Sequence, residues 1–166
     1  MIQVYTGCGK GKTTAAIGLA VRAAGAGLNV YIAQFTKGRK CSELKSLKRL
    51  KNIKVEQFGA CHFIRKITPK DITHAQRGLA AVKKIIRAKN HDVIILDEIN
   101  VALELGLIAI KDVVEIMKKI PSQTELVLTG RNAPDEVLHY ADLISEINEV
   151  KHYFKIGIKA RKGIEF

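Results

Sequence analysis

Between Tyr5 and Thr14 the chain reads Tyr5-Thr6-Gly7-Cys8-Gly9-Lys10-Gly11-Lys12-Thr13-Thr14, residue types that can hold a polyphosphate. Glycines allow a tight turn and bring backbone N–H groups up to phosphate oxygens. Lys12 supplies a mobile positive charge and Thr13 a hydroxyl for Mg²⁺. An apolar start, Met1 to Val4, reads as a buried strand before this loop, and Ala15 to Val21 reads as a helix after it. The helix N-terminus adds unpaired donors and a positive dipole end. One feature departs from the usual G-x-x-x-x-G-K-S/T spacing. Thr6 stands at the first glycine position, with glycines at 7, 9 and 11, so the loop is effectively shorter. The plain alternative is a glycine-rich turn with chance lysines; the coincidence of strand, glycines, Lys-Thr and helix argues against it.

A second set of reactive side chains lies at Asp97 and Glu98, after Val93-Ile94-Ile95-Leu96. Four apolar residues fit a strand buried on both faces. Carboxylates at a strand end are common alone, but with an upstream phosphate loop they read as partners of Thr13 in a Mg²⁺ site. Their alternative role is to cap the helix from Ile99 to Leu105, which is compatible with the first. Gln34 and Lys37 follow a second strand, and Arg131 follows Thr124 to Gly130. Open α/β sheets bind ligands at the carboxyl ends of strands, which places all three near the site. Arg131 can clamp an anion or pair with a structural carboxylate.

The elements that must position these groups alternate along the chain. The first helix stops at Gly25-Ala26-Gly27, and Asn29 to Phe35 is the second strand, so the first two strands pair in parallel. Ser42 is placed to cap a short helix carrying Leu44, Leu47 and Leu50. Ile53 to Phe58 alternates as a strand, and Gly59 to Arg65 follows as a loop. Asp71 to Lys89 is the longest helical pattern, with Ile72, Ala75, Leu79, Val82 and Ile86 as its core stripe and His74 outside it, exposed. Lys111 to Ile120 is an amphipathic helix ended by Pro121, and Ala133-Pro134-Asp135 opens a short one. Leu143 to Ile147 reads as a last core strand. Lys151-His152 and residues 157–166 show no regular period. The sum is an α/β fold: a single P-loop (RecA-like) nucleotide-binding domain over residues 1–166, mainly parallel, with helices on both faces.

Composition bounds the function. The chain has 166 residues, 47% of them hydrophobic and 27% charged, the size and balance of one globular domain. No apolar run reaches the ~18 residues of a membrane span. The start at the first strand reads as a chain without a leader, and three scattered cysteines, Cys8, Cys41 and Cys61, fit a reducing cytoplasm rather than a zinc site. The net charge is +12, much of it between Lys37 and Lys54. That segment suits ATP or nucleic acid, or is a solvated helix face; aromatic residues for base stacking are few. From the residues alone two functions stand: a RecA-like ATPase binding nucleic acid through the basic segment, and a nucleotide-binding regulatory module without turnover.

Several segments, in order across nearly the whole chain, resemble the ATP:corrinoid adenosyltransferases. These are the loop Thr6 to Thr14, Gln34-Phe35-Thr36-Lys37-Gly38, Leu96-Asp97-Glu98, Thr129-Gly130-Arg131, Ala141-Asp142-Leu143, Lys151-His152 and Lys162-Gly163-Ile164-Glu165-Phe166. The short loop with Thr-Gly-Arg and the Gly-Ile-Glu-Phe ending is more specific than a phosphate loop alone. The resemblance implies that Co(I) of a corrinoid attacks the 5′ carbon of ATP, held in reversed polarity, and triphosphate leaves. It implies ATP contacts from Thr6, Gly7, Cys8, Gly9, Lys10, Gly11, Lys12, Thr13, Thr14, Gln34, Lys37 and Arg131. It assigns catalysis to Lys12 and Glu98, and Mg²⁺ (or Mn²⁺) to Thr13, Asp97 and Glu98. Backbone N–H groups of Gly9 to Thr14 and the Lys10 side chain suit the leaving triphosphate, whose charge grows in the transition state. The implied partners are ATP, a corrinoid, a flavoprotein reductant and a second copy of the chain, with no membrane and no nucleic acid. Members acting on complete cobalamin resemble Gly-Phe-x-Trp after the third strand. Here Phe63 matches, His62 replaces the glycine and Arg65 stands at the tryptophan position. Phe63 and Arg65 are the implied corrinoid contacts, and an incomplete corrinoid fits the charged Arg65 better.

Overall fold

The computed structural model describes residues 1–38, 41–59 and 66–165. Strands β1 (Ile2–Thr6), β2 (Val30–Phe35), β3 (Ile53–Phe58), β4 (Val93–Asp97), β5 (Glu125–Thr129) and β6 (Leu143–Glu146) lie in the order β3-β2-β4-β5-β1-β6. Every neighbouring pair is parallel. The connections are the helices that parallel pairing requires: α1 (Lys12–Gly25), α2 (Glu43–Leu47), α3 (Pro69–Ala88), α4 (Ile99–Glu104), α5 (Ile110–Lys119) and α6 (Asp135–His139). Register sets the site. Gln34 lies opposite both Gln57 and Asp97, and Tyr5 lies opposite Thr129. One polar side chain per strand therefore reaches the same carboxyl-end edge.

The alternation of β4 explains its apolar run. Val93 and Ile95 join Ala16, Ala20, Ala23 and Leu47 on the face covered by α1 and α2. Ile94 and Leu96 join Leu79, Val82, Ile99 and Val113 on the face covered by α3 to α5. Each such buried Ile or Leu contributes ~1.5–3 kcal/mol relative to exposure. A rigid strand buried on both sides is a firm base for the carboxylates at its end.

Several details differ from the sequence expectations. Helix α3 begins at Pro69, because Thr68 and Asp71 form a capping box: the Thr68 N–H donates to Asp71 Oδ2 at 2.9 Å, and the Asp71 N–H to Thr68 Oγ1 at 3.4 Å. Asp71 thus takes the inward place of the first turn, and Ile72 is 42% exposed rather than core. His74 is half-buried, not exposed. Strand β6 is an edge that pairs only with β1 among the described residues, so Leu143 and Ile144 are about half exposed and it is no core strand. A 3-10 turn at Tyr153–Ile156 occupies a stretch to which the sequence reading assigns no element. Ser42 occupies the N-cap position of α2 in helical rather than extended angles.

Gly78 of α3 shows how tightly the second face is closed. A Cβ there would lie 2.7 Å from Phe58 Cγ and 2.8 Å from Phe35 Cε1. Alanine gains ~1 kcal/mol of helix propensity, but overpacking a well-filled core costs ~1–3 kcal/mol, and these rings have little room to yield. Gly78→Ala is therefore expected to lower the urea midpoint. A raised midpoint would show that the Phe35–Phe58 pair relaxes freely.

Candidate active site

Lys12 opens α1 and is buried, 7% exposed. Its ammonium donates to the carbonyls of Gly7 and Gly9, each at 2.7 Å, so it staples the loop from within. Burial pulls its pKa down, the Glu98 charge pushes it up, and Arg131 lowers it further. The three loop glycines have different reasons. Gly11 has φ 127, which a side chain resists, and open space around it. A Cβ on Gly7 or Gly9 would lie 2.5 or 2.7 Å from the Ile147 carbonyl oxygen. Those two let the loop pack backbone-to-backbone on the chain leaving β6. The Gly9 N–H donates to Ile147 O at 2.7 Å, so it is committed inside the fold, and the backbone donors expected to face phosphate shrink to Lys10 through Thr14. Thr6, at the missing glycine position, accepts from the Ala133 N–H at 3.2 Å and ties the loop after β5 to the phosphate loop.

Asp97 is the centre of the site and only 1% exposed. Its Oδ1 accepts from Thr13 Oγ1 and Thr129 Oγ1, both at 2.8 Å. Its Oδ2 accepts from Lys37 Nζ at 2.8 Å and Gln34 Nε2 at 3.1 Å. Lys37 Nζ also donates to Thr13 Oγ1 at 3.1 Å. Burial alone would lower the Lys37 pKa; the charge and hydrogen bond of Asp97 outweigh it and raise it. Gln34 is in turn held by Gln57, whose Nε2 donates to Gln34 Oε1 at 3.0 Å. Thr129 also accepts from the Glu98 N–H at 3.0 Å, so one hydroxyl joins both carboxylate residues.

Two strand exits are turned by non-glycine residues in the left-handed region, Thr36 (φ 55) before Lys37 and Glu98 itself (φ 61). Such angles cost ~1–2 kcal/mol each and persist where surroundings enforce them. At Thr36 the enforcing neighbour is Gly59, where a Cβ would lie 2.4 Å from the Lys37 nitrogen. Glu98 occupies the N-cap position of α4 but makes no side-chain cap bond. Burial and then the Asp97 charge raise its pKa, against the pull of Lys37, Lys12 and Arg131.

Among the described residues no three His, Cys, Asp or Glu side chains gather into a metal cluster. The oxygen set of Thr13, Asp97 and Glu98 nonetheless suits a hard divalent cation that keeps water and phosphate in its shell. The Lys37 ammonium, bonded to both Thr13 and Asp97, shows that this spot already accepts positive charge.

Residues 1–166 match the family model described as ATP:corrinoid adenosyltransferase BtuR/CobO/CobP. The chain belongs to this family. A corrinoid adenosyltransferase of Sinorhizobium is 34% identical over 177 residues, spanning 100% of this chain and 80% of the relative. One from Escherichia coli is 32% identical over 167 residues, spanning 100% and 85%. The fold is also that of a KaiC-like protein from Pyrococcus horikoshii, with TM-score 0.61 at 13% identity over 92% of this chain and 74% of that one. The family is one of transferases, ATP and corrinoid substrates fit it, and the nucleic-acid-stimulated ATPase is not favoured.

Against the adenosyltransferase pattern, the fold brings Thr13, Gln34, Lys37 and Asp97 into direct contact. Lys12, Glu98 and Arg131 lie within mutual electrostatic reach. Cys8 is exposed on the loop and Thr14 in the first turn of α1, and Lys10 is paired with Glu165 at 3.5 Å. Phe63 and Arg65, with His62 and Cys61, lie outside the described residues. Sequence reasoning missed Thr129 and Gln57 as site residues. Both are polar residues at the carboxyl ends of strands, a signal that becomes specific only once strand order puts β5 and β2 beside β4 and β3 beside β2. It also missed Asn100, which is fully buried and donates to the Gly130 carbonyl at 3.3 Å, holding the turn that presents Arg131.

Proposed function

We propose that the protein transfers the 5′-deoxyadenosyl group of ATP to Co(I) of a corrinoid and releases inorganic triphosphate. The electron pair of Co(I) forms the cobalt–carbon bond, the bond from C5′ to oxygen breaks, and its pair leaves on triphosphate. Co(I) has no proton to lose, so no general base is needed. The observation that carries the reading is the commitment of Asp97: four donors fill its two oxygens, which suits holding cations and not activating a water. Lys12, Lys37, Arg131 and the N–H groups of Lys10 to Thr14 then face the triphosphate, where negative charge grows in the transition state. Thr13, Asp97 and Glu98 would hold Mg²⁺ or Mn²⁺, which when bound supplies further positive charge to the leaving group. Lys12 and Glu98 are assigned the catalytic roles. Thr6 through Thr14 and Gln34 shape the ATP site, and Phe63 and Arg65 are assigned to the corrinoid. The same reading takes residues 1–166 as one domain and includes a flavoprotein reductant, a homodimer and a cytoplasmic setting. The free Cys8 thiol supports that setting. No helix among the described residues is long and apolar enough to cross a membrane.

The test is an anaerobic assay with chemically reduced corrinoid, Mg²⁺ and ATP, with cobalamin and cobinamide run side by side. Loss of the Co(I) absorption, a light-sensitive product and intact triphosphate are expected. Formation of ADP without consumption of Co(I) would overturn the proposal.

A further inference from the structure

The chain after β6 touches the phosphate loop twice. It first does so through backbone: the Gly9 N–H donates to Ile147 O at 2.7 Å, and the Ile147 N–H to Thr6 O at 2.9 Å. It then folds through the 3-10 turn and comes back, so that Glu165 Oε1 lies 3.5 Å from the Lys10 ammonium. The returning carboxylate is built, not incidental. The Arg161 backbone N–H donates to Oε2 at 2.6 Å, and its guanidinium Nη2 to Oε1 at 3.0 Å. That guanidinium stacks 4.7 Å from the centre of the Tyr153 ring, and Lys10 Nζ lies 6.0 Å from the same centre. Glu165 is the more sheltered partner, its side chain 18% exposed against 39% for Lys10. The hydrogen bonds from Arg161 hold the Glu165 carboxyl down at about 2, so it is anionic at any working pH.

A fixed anion on a phosphate-binding loop has no use in attracting a polyphosphate. Like charges at that distance disfavour each other, and both compete for the same ammonium. We propose that Glu165 is an internal competitor for Lys10: it holds the lysine in the empty protein, yields it to the triphosphate chain of the nucleotide, and by retaking it favours release of the triphosphate product. This rests on the polyphosphate reading of the loop. Arg161 and Tyr153 are positioning residues that keep the carboxylate within reach. The pair is partly solvent-screened, so the effect is the size of an exposed ion pair, about two- to five-fold in affinity.

The experiment measures inorganic triphosphate binding by calorimetry with the full chain, Glu165→Gln, Lys10→Met and the double variant. Glu165→Gln is expected to bind triphosphate about two- to five-fold more tightly, with no such gain in the Lys10→Met background. In the wild type, triphosphate is expected to speed tryptic cleavage after Arg161 and Lys162, because the latch opens. A Glu165→Gln variant that is merely less thermostable, with unchanged or weaker triphosphate binding, would make the contact structural and overturn the proposal. So would an equal gain in the Lys10→Met background. Triphosphate binding is read without any corrinoid, so a failed adenosyl transfer assay would sink the proposed function while leaving this test intact. Failure of the wild type to bind triphosphate at all would remove the premise and the latch together.

Discussion

Asp97→Ala is expected to abolish adenosyl transfer and to destabilise the fold by about 3–5 kcal/mol, the cost of removing one partner of a buried ion pair. The carboxylate is almost fully buried and accepts from Thr13, Thr129, Gln34 and Lys37. Truncation strands a largely desolvated ammonium and three polar side chains where β2, β4, β5 and the start of α1 meet. Asn at this position repairs little. Turned so that its NH₂ meets the two hydroxyls, the amide makes both of them accept where they now donate, and it leaves the Lys37 ammonium without a counter-charge. Urea unfolding and steady-state rates of both variants check this. The alanine variant should lose several kcal/mol, the asparagine variant less, and neither should turn over. A stable Asp97→Asn protein of near wild-type rate would remove Asp97 from the centre of the site.

The parts of this site legible in sequence were those whose neighbours are close in the chain. Lys12 and Thr13 follow glycines and open a helix, and Asp97 follows an apolar run; strand, turn and helix periods suffice to place them. Gln57 carries no local mark, and Thr129 stands out in the sequence only within Thr129-Gly130-Arg131, not as a partner of Asp97. They matter because the order β3-β2-β4-β5-β1-β6 puts them in register with Asp97 and Gln34, and strand order is a long-range property. The same reason explains β6. Its apolar residues resemble those of a core strand, and only its place at the sheet edge leaves Leu143 and Ile144 exposed. The glycines were legible as a turn but not as a packing surface. That Gly7 and Gly9 lie against Ile147 depends on a segment about 140 residues away in sequence meeting the loop. The capping box at Thr68 and Asp71 was readable locally and lay hidden behind the stronger apolar stripe that follows it.

Lys12→Ala separates binding chemistry from folding, because its two roles differ in what replaces them. In the empty protein its ammonium bridges the Gly7 and Gly9 carbonyls. Those carbonyls belong to a loop also held by Ile147 and by the Thr6 to Ala133 bond, so the loop keeps its course without the lysine. Burial disfavours the charged amine, which further limits what its removal costs the fold. A stability change within about 1 kcal/mol is expected, in contrast to Asp97→Ala. Toward the nucleotide nothing substitutes. Lys37, Lys10 and Arg131 are each assigned a place of their own on the triphosphate, and neither Lys37, held by Asp97 and Thr13, nor Lys10, facing Glu165, stands between the Gly7 and Gly9 carbonyls where the Lys12 ammonium lies. The lost charge-assisted contact is worth ~1.5–3 kcal/mol, so kcat/KM for ATP should fall roughly ten- to a hundred-fold. The fall should appear in kcat if Lys12 binds the leaving triphosphate more tightly in the transition state than in ATP, and in KM alone if it holds both equally. A folded Lys12→Ala protein with unchanged kcat and KM would show that the loop does not hold the triphosphate, and the reading of the whole carboxyl-end edge would have to be rebuilt around Lys37.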